Sequence, residues 1–228
     1  MYEDLTGLYA PDVDFTGAIF EEAIVKYADL GNAELGNANL KGVNLTNANL
    51  GGADLTGANL GCTDYRLCAN LGGADLTKAT LTKAFLDSTN LSYADLDGAD
   101  LSYADLSFAG LGYATLKGAN LANADLGNAD VTDAFLVNAD LGNAYLGYAE
   151  IYGTNLTDAN LDHADLTDAD LTYADLSFAD LGYATLLGAY LIATNLNGAN
   201  LAYADLTGVH WYFTTCPNGT VTSTGCTA

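Results

Sequence analysis

Residues 69–103 read ANLGG ADLTK ATLTK AFLDS TNLSY ADLDG ADLSY, and the same cadence runs on to Leu206. From Leu71 to Leu206 a large aliphatic residue falls at every fifth position. That makes 28 consecutive centres, 26 of them Leu, with Val131 and Ile151 the exceptions. Two residues ahead of each centre stands a small residue, Ala in 25 cases and Thr in three (Thr89, Thr154 and Thr194). The slot between them holds Asp or Asn most often. A period of five is neither the 3.6 of an amphipathic helix nor the 2 of a half-buried strand. Sustained over so many copies, it marks a repeat architecture.

Geometry narrows the choice. On a helix, five residues turn about 500°, so the Leu side chains would spread around the axis. On a flat strand, odd offsets point to opposite faces, so successive Leu would alternate sides. One face results only if the chain turns a corner every five residues and each pentapeptide forms one side of a coil. The Ala two before each centre then also points inward. Gly, Asn and Asp suit the corners because they tolerate turn conformations. Stacked coils pair backbone with their neighbours about 4.8 Å away.

The tandem A(D/N)Lxx pattern, which spans Val13 to Trp211, resembles the pentapeptide-repeat family. The resemblance implies an all-β fold, a right-handed quadrilateral β-helix with four pentapeptides per coil. Centres and Ala positions would face inward, and the other three residues outward. About ten coils would then make a rod on the order of 48 Å long with capped ends.

Charge bounds the partners. The chain carries 29 acids against six bases, a formal net charge of −23. This argues against nucleic acid or an anionic membrane as a direct partner, because phosphate binding needs basic patches. No apolar run reaches the length of a membrane span. No basic and apolar leader pattern follows Met1.

The expected organisation is an N-terminal cap (1–12), a β-helix (13–211) and a hairpin-like C-terminal cap (212–228). In the first segment Pro11 interrupts the pattern, and Phe15 and Phe20 are read as an end plug. The register slips once. Counting Tyr65 as a centre, the next is Leu71, so residues 62–71 (CTDYRLCANL) hold a one-residue bulge. Cys62 and Cys68 bracket it, as a disulfide or as two reduced thiols. Arg66 reads as a local ion-pair partner of Asp64. In the tail, Trp211, Tyr212 and Phe213 can cover the last coil, and Pro217-Asn218-Gly219 signals a turn. Cys216 and Cys226 could close that hairpin. Two local cysteine pairs lean toward an oxidising compartment, the periplasm or thylakoid lumen; reduced cysteines would indicate the cytoplasm. His163 and His210 lie far from paired cysteines, so no zinc spacing exists.

Function must lie in the outward layer. Eighteen of the 29 acids occupy the slot before a centre. Residues 20 apart share a side in the four-sided coil, so one column runs Asp100, Asn120, Asp140, Asn160, Asp180, Asn200. The alternation separates like charges, which at 4.8 Å in water would repel by roughly 0.9 kcal/mol. Asp105, Asp125, Asp165 and Asp205 extend this acidic ladder, which is the candidate interaction surface. Aromatic rings recur two residues after the centre, at Tyr93, Tyr103, Phe108, Tyr113, Tyr148, Tyr173, Phe178, Tyr183 and Tyr203. They read as corner packing, with Tyr93 and Tyr113, and Tyr183 and Tyr203, placed to stack. Segment 103–119 recurs at 173–189, an offset of 70, which carries the copy to the opposite side of the rod.

No nucleophile–base pair, phosphate loop, metal motif or cofactor motif is present, so an enzyme is not expected. The expected role is a non-catalytic structural or protein-interaction scaffold with an unidentified protein partner, as a monomer or an end-to-end dimer. The resemblance implies one alternative, a DNA mimic that binds DNA gyrase and confers quinolone resistance. The net charge over the expected length gives one charge per roughly 2 Å, close to the one per about 1.7 Å of duplex DNA. Family members of that kind dimerise through a C-terminal helix; this tail reads as a hairpin instead.

Overall fold

The computed structural model describes residues 3–64 and 67–226. Its wall is a ladder of parallel bridges between residues 20 apart, among them Asp4↔Ile24, Asp100↔Asn120 and Asp180↔Asn200, with a spacing of 26 across one expanded coil. Each side is so short that only the last coils hold longer strands. These are β1 (Tyr190–Ile192), β2 (His210–Tyr212), β3 (Thr214–Thr215) and β4 (Val221–Thr222).

The pentapeptide Asp100–Ala104 shows why five residues close one side. The centre Leu101 donates its N–H to Asn120 in the next coil (2.7 Å), and Asp100 donates to Ala79 in the previous one (2.9 Å). Tyr103 donates to the next coil at Ala122 (3.1 Å), and Ala104 closes the turn onto Leu101 (3.0 Å). That leaves the N–H of Ser102. It is taken by the Asp100 carboxylate at 3.0 Å. Every backbone donor is therefore satisfied, and the recurrent Asp or Asn supplies the one bond that the backbone cannot make.

Corners require a positive φ two residues after the centre. It is seen from Asp12 (57°) to Tyr203 (62°), aromatic residues included. Such a conformation costs a non-glycine residue on the order of 1–3 kcal/mol, so the corners are imposed by the wall they join. Phe178 shows a local offset. Its ring lies over Gly198 of the next coil, where a Cβ would come within 2.6 Å of ring carbon.

Inside, Leu and Ala from all four sides form one unbroken core from Ala10 to Leu201. Each Thr in a small slot keeps its hydroxyl paired: Thr89 donates to Leu60 (2.9 Å), Thr154 to Val131 (2.6 Å) and Thr194 to Leu171 (2.8 Å). A buried hydroxyl left without a bond would cost about 1–3 kcal/mol.

Three features of the expected organisation change. Residues 3–12 are not a separate cap. Asp4 and Tyr9 bridge to Ile24 and Asp29, so this segment is the wall of the first coil. Pro11 does not interrupt it, because Pro11 falls at the second position of a turn, where a φ near −65° is wanted. The 62–71 segment is not a one-residue bulge. Asn44, Asn49, Asp54 and Asn59 bridge to residues 26 ahead, so this coil carries six extra residues beyond the usual 20. Leu60 is followed on the next side by Leu71, and the segment between leaves the wall as a loop closed by a Cys62–Cys68 disulfide. Tyr65 and Arg66, with the expected pairing to Asp64, lie outside the described residues. Finally, the wall runs past Trp211. Asn195 bridges to Thr215, and Cys216 is buried in the position of a centre.

Beyond Cys216 the chain turns back. β3 and β4 pair antiparallel, Gly219 closes the turn onto Cys216 (2.9 Å), and a disulfide joins Cys216 to Cys226. Half-buried Trp211 packs on the end of the core, with Gly225 beside its indole.

Candidate interaction surface

The expected acidic ladder occupies two adjacent sides. Asp100, Asp140 and Asp180 share one column, bridged through Asn120 and Asn160. Asp105, Asp125, Asp165 and Asp205 lie in the next, with Phe85, Tyr145 and Thr185 interleaved. Alternation in the first column does more than separate charge. Asn120, Asn160 and Asn200 each donate an amide N–H to the Asp one coil below, at 3.0, 2.8 and 2.7 Å. In the second column Asp105 and Asp125 are neighbours without such a bridge.

These carboxylates face solvent with one oxygen and hold a corner with the other. Burial pushes the Asp100 carboxyl up, but bonds from the Ser102 N–H and hydroxyl, Thr82 and Asn120 bring it below the ordinary carboxylate range. Asp4 and Asp205 are held low by the hydroxyl and N–H of Thr6 and Thr207, and Asp14 by the N–H and hydroxyl of Thr16. The sequence showed the acid column but not its structural duty. The signal was there in the shared preference for Asp and Asn, which have a side-chain acceptor at one reach and differ in charge.

Between the two acidic columns runs a corner bearing Tyr103, His163, Tyr183 and Tyr203. His163 stacks on Tyr183 at 4.9 Å and Tyr183 on Tyr203 at 4.8 Å, and His163 Nδ1 lies 2.8 Å from Asp162. The sequence places the two tyrosines together; His163 occupies the same slot two residues after a centre, and its flat ring extends the stack although its type differs. Tyr93 and Tyr113 stack on the opposite corner at 5.0 Å. The Tyr113 hydroxyl, bonded to Asp133, is pushed above the usual phenol range. The repeat at 103–119 and 173–189 thus presents its rings on opposite corners, as its offset requires.

The expanded coil makes a concavity. The loop leans back over the neighbouring corner and leaves an open cavity of about 290 Å³ lined by Glu22, Ile24, Val43, Asn44, Leu67 and Asn70 among others. Among the described residues, no group of three or more His, Cys, Asp or Glu side chains is placed to hold a metal ion. No helix among them is long and apolar enough to cross a membrane.

A four-sided parallel solenoid with a Leu/Ala interior and side-chain-sealed corners defines the class of protein. The sequence model for pentapeptide repeats matches eight copies over residues 26–61, 69–107, 99–136, 136–172, 149–182 and 174–210. The chain therefore belongs to the pentapeptide-repeat family, whose members fold as right-handed β-helices. Among solved structures it is similar to HetL, a pentapeptide repeat protein involved in heterocyst differentiation regulation from the cyanobacterium Nostoc sp. strain PCC 7120. The identity is 33% over 97% of this chain and 92% of HetL, with a TM-score of 0.62. It is also similar to a trypsin-treated variant of QnrB1, a plasmid-mediated fluoroquinolone resistance protein. There the identity is 17% over 90% of each chain, with a TM-score of 0.59. Comparison with the curated proteins gives no match.

Proposed function

We propose that this chain is a non-catalytic scaffold that acts by binding another protein along its acidic sides. The observation that carries the reading is the double use of the pre-centre acids. Their inner oxygen bonds fix carboxylates on two adjacent sides, as Asp100 illustrates on one and Asp105 and Asp125, one coil apart, on the next. A rigid, regularly charged surface of this kind suits recognition by a basic partner. HetL, similar over nearly the whole length, takes part in the regulation of differentiation, and a regulatory contact fits the same surface. The two disulfides support an oxidising compartment such as the periplasm or thylakoid lumen. Replacing Asp105, Asp125 and Asp165 with Asn keeps the corner acceptor and removes three charges. A partner captured by the wild-type rod should bind this variant about tenfold more weakly. Unchanged binding would move the contact elsewhere.

One second reading has a specific support, the charge density close to that of duplex DNA. In it the rod mimics DNA and binds gyrase. The acids stand on every side, as Asp75, Asp130, Asp140 and Asp165 show, which fits a cylindrical mimic. No change in gyrase supercoiling at micromolar protein would dismiss it.

A further inference from the structure

The repeat surface is uniform, whereas the expanded coil is built for one place only. The loop returns to the wall at Gly42. A Cβ there would lie 2.9 Å from the Leu67 carbonyl oxygen and 3.1 Å from the Thr63 methyl, and the backbone φ is +63°. Only glycine lets the loop approach so closely. Thr63, a residue of the loop, is buried, and its hydroxyl has no partner among the described residues. The loop is thus packed down, and its disulfide closes it from Cys62 to Cys68. Between loop and wall the cavity opens to solvent. Ile24, Val43 and Leu67 supply its apolar lining, and Glu22 supplies a carboxylate. Leu67 stands at the loop with 47% of its surface exposed. A cavity of about 290 Å³ exceeds the roughly 150 Å³ that accommodates benzene, so it has room for one large side chain.

We propose that this cavity receives a single large apolar side chain, Leu or Phe, carried on a positively charged segment of the protein partner. The inference rests on the scaffold reading above and gives it a location. An apolar anchor in a pocket is the usual centre of a protein contact. The charge of −23 draws a basic segment to the rod, and the Glu22 carboxylate pairs with it beside the anchor. The wall sets the shape of the pocket, and the disulfide holds the loop that forms its other side.

The test uses two fluorescein-labelled peptides of equal charge, Lys-Lys-Phe-Leu-Lys-Lys and Lys-Lys-Ser-Ser-Lys-Lys, with binding followed by anisotropy. The apolar peptide should bind about tenfold more tightly. Two uncharged changes should abolish that preference. Ile24→Trp fills the cavity from a wall slot where Phe85 and Phe135 are accommodated elsewhere. Cys62→Ser combined with Cys68→Ser releases the loop. Circular dichroism melts check that both variants remain folded. Equal binding of the two peptides, or a preference that survives both variants, overturns the assignment. Affinity capture with immobilised rods separates the two levels. Protein retained equally by wild type and Ile24→Trp overturns the cavity and leaves the scaffold; retention by neither overturns both.

Discussion

Two segments of this chain leave the repeat, and each is closed by a disulfide. The 62–68 segment departs within the rod and the 217–226 segment departs at the end. Their effect on the wall differs. After the first, Leu71 takes the side after Leu60, and the bridges return to a spacing of 20 from Asn70↔Asn90 onward. After the second, the wall has no further coil to join, and β4 pairs back on β3. An insertion within the rod is held at both ends by coils already stacked, so its length is tolerated. At a terminus only one side is held, and the crosslink must limit fraying. In a solenoid, stability is a sum of nearest-neighbour terms, so position along the rod decides what the same bond protects.

The largest effect should follow from Cys216→Ser with Cys226→Ser. Chain-entropy reasoning gives about 3 kcal/mol for a loop of this size. Because the loss falls on the end, amide exchange at His210, Thr215 and Cys216 should quicken by about a hundredfold, while Leu101 and Leu126 stay protected. Uniform acceleration along the rod would break the comparison. A smaller effect is expected from Cys62→Ser with Cys68→Ser. The Thr63 amide, which donates to Leu67, should exchange faster, and the wall amides of Leu45 and Asn70 should stay within about threefold of wild type. Loss of protection at Leu45 would show that the loop braces the wall.

The smallest effect concerns Asp205, in the coil beneath the tail. Thr207 holds its carboxyl below the ordinary range. A depressed folded pKa means that its stabilising contribution is complete above the unfolded value near 3.9 and is lost as pH falls through the folded value. Asp205→Asn keeps the acceptor and removes this titration. The Tm difference between wild type and variant should therefore change between about pH 6 and pH 2. A constant difference would show that the Thr207 bonds do not favour the ionised form.

Much of the fold is visible in residues 69–206. A Leu every five positions can meet its equivalents only if the chain turns a corner each time, and with the four sides per coil that the family resemblance implies, the columns that share a side follow by arithmetic. Asp100, Asp140 and Asp180 share one column, as that spacing requires. The stacking of Tyr183 on Tyr203 followed as well, but not its extension to His163. At residues 1–12 local irregularity misled. Pro11 and Tyr9 look foreign to the consensus, yet their slots need only a turn-compatible backbone and an outward side chain.

The sequence by itself determined the inward layer, the corner at every fifth residue and the charge of the surface, because burial of Leu and Ala at that fixed period requires it; four sides per coil were implied by the family resemblance and are set by bridges at a spacing of 20. Only the tertiary structure decided where the extra residues of the 62–68 segment go. The choice between a one-residue bulge and a six-residue loop depends on which centre pairs with the coil above. That pairing is a contact between Asn44 and Asn70, and no local pattern encodes it. The cavity between that loop and the wall exists for the same reason.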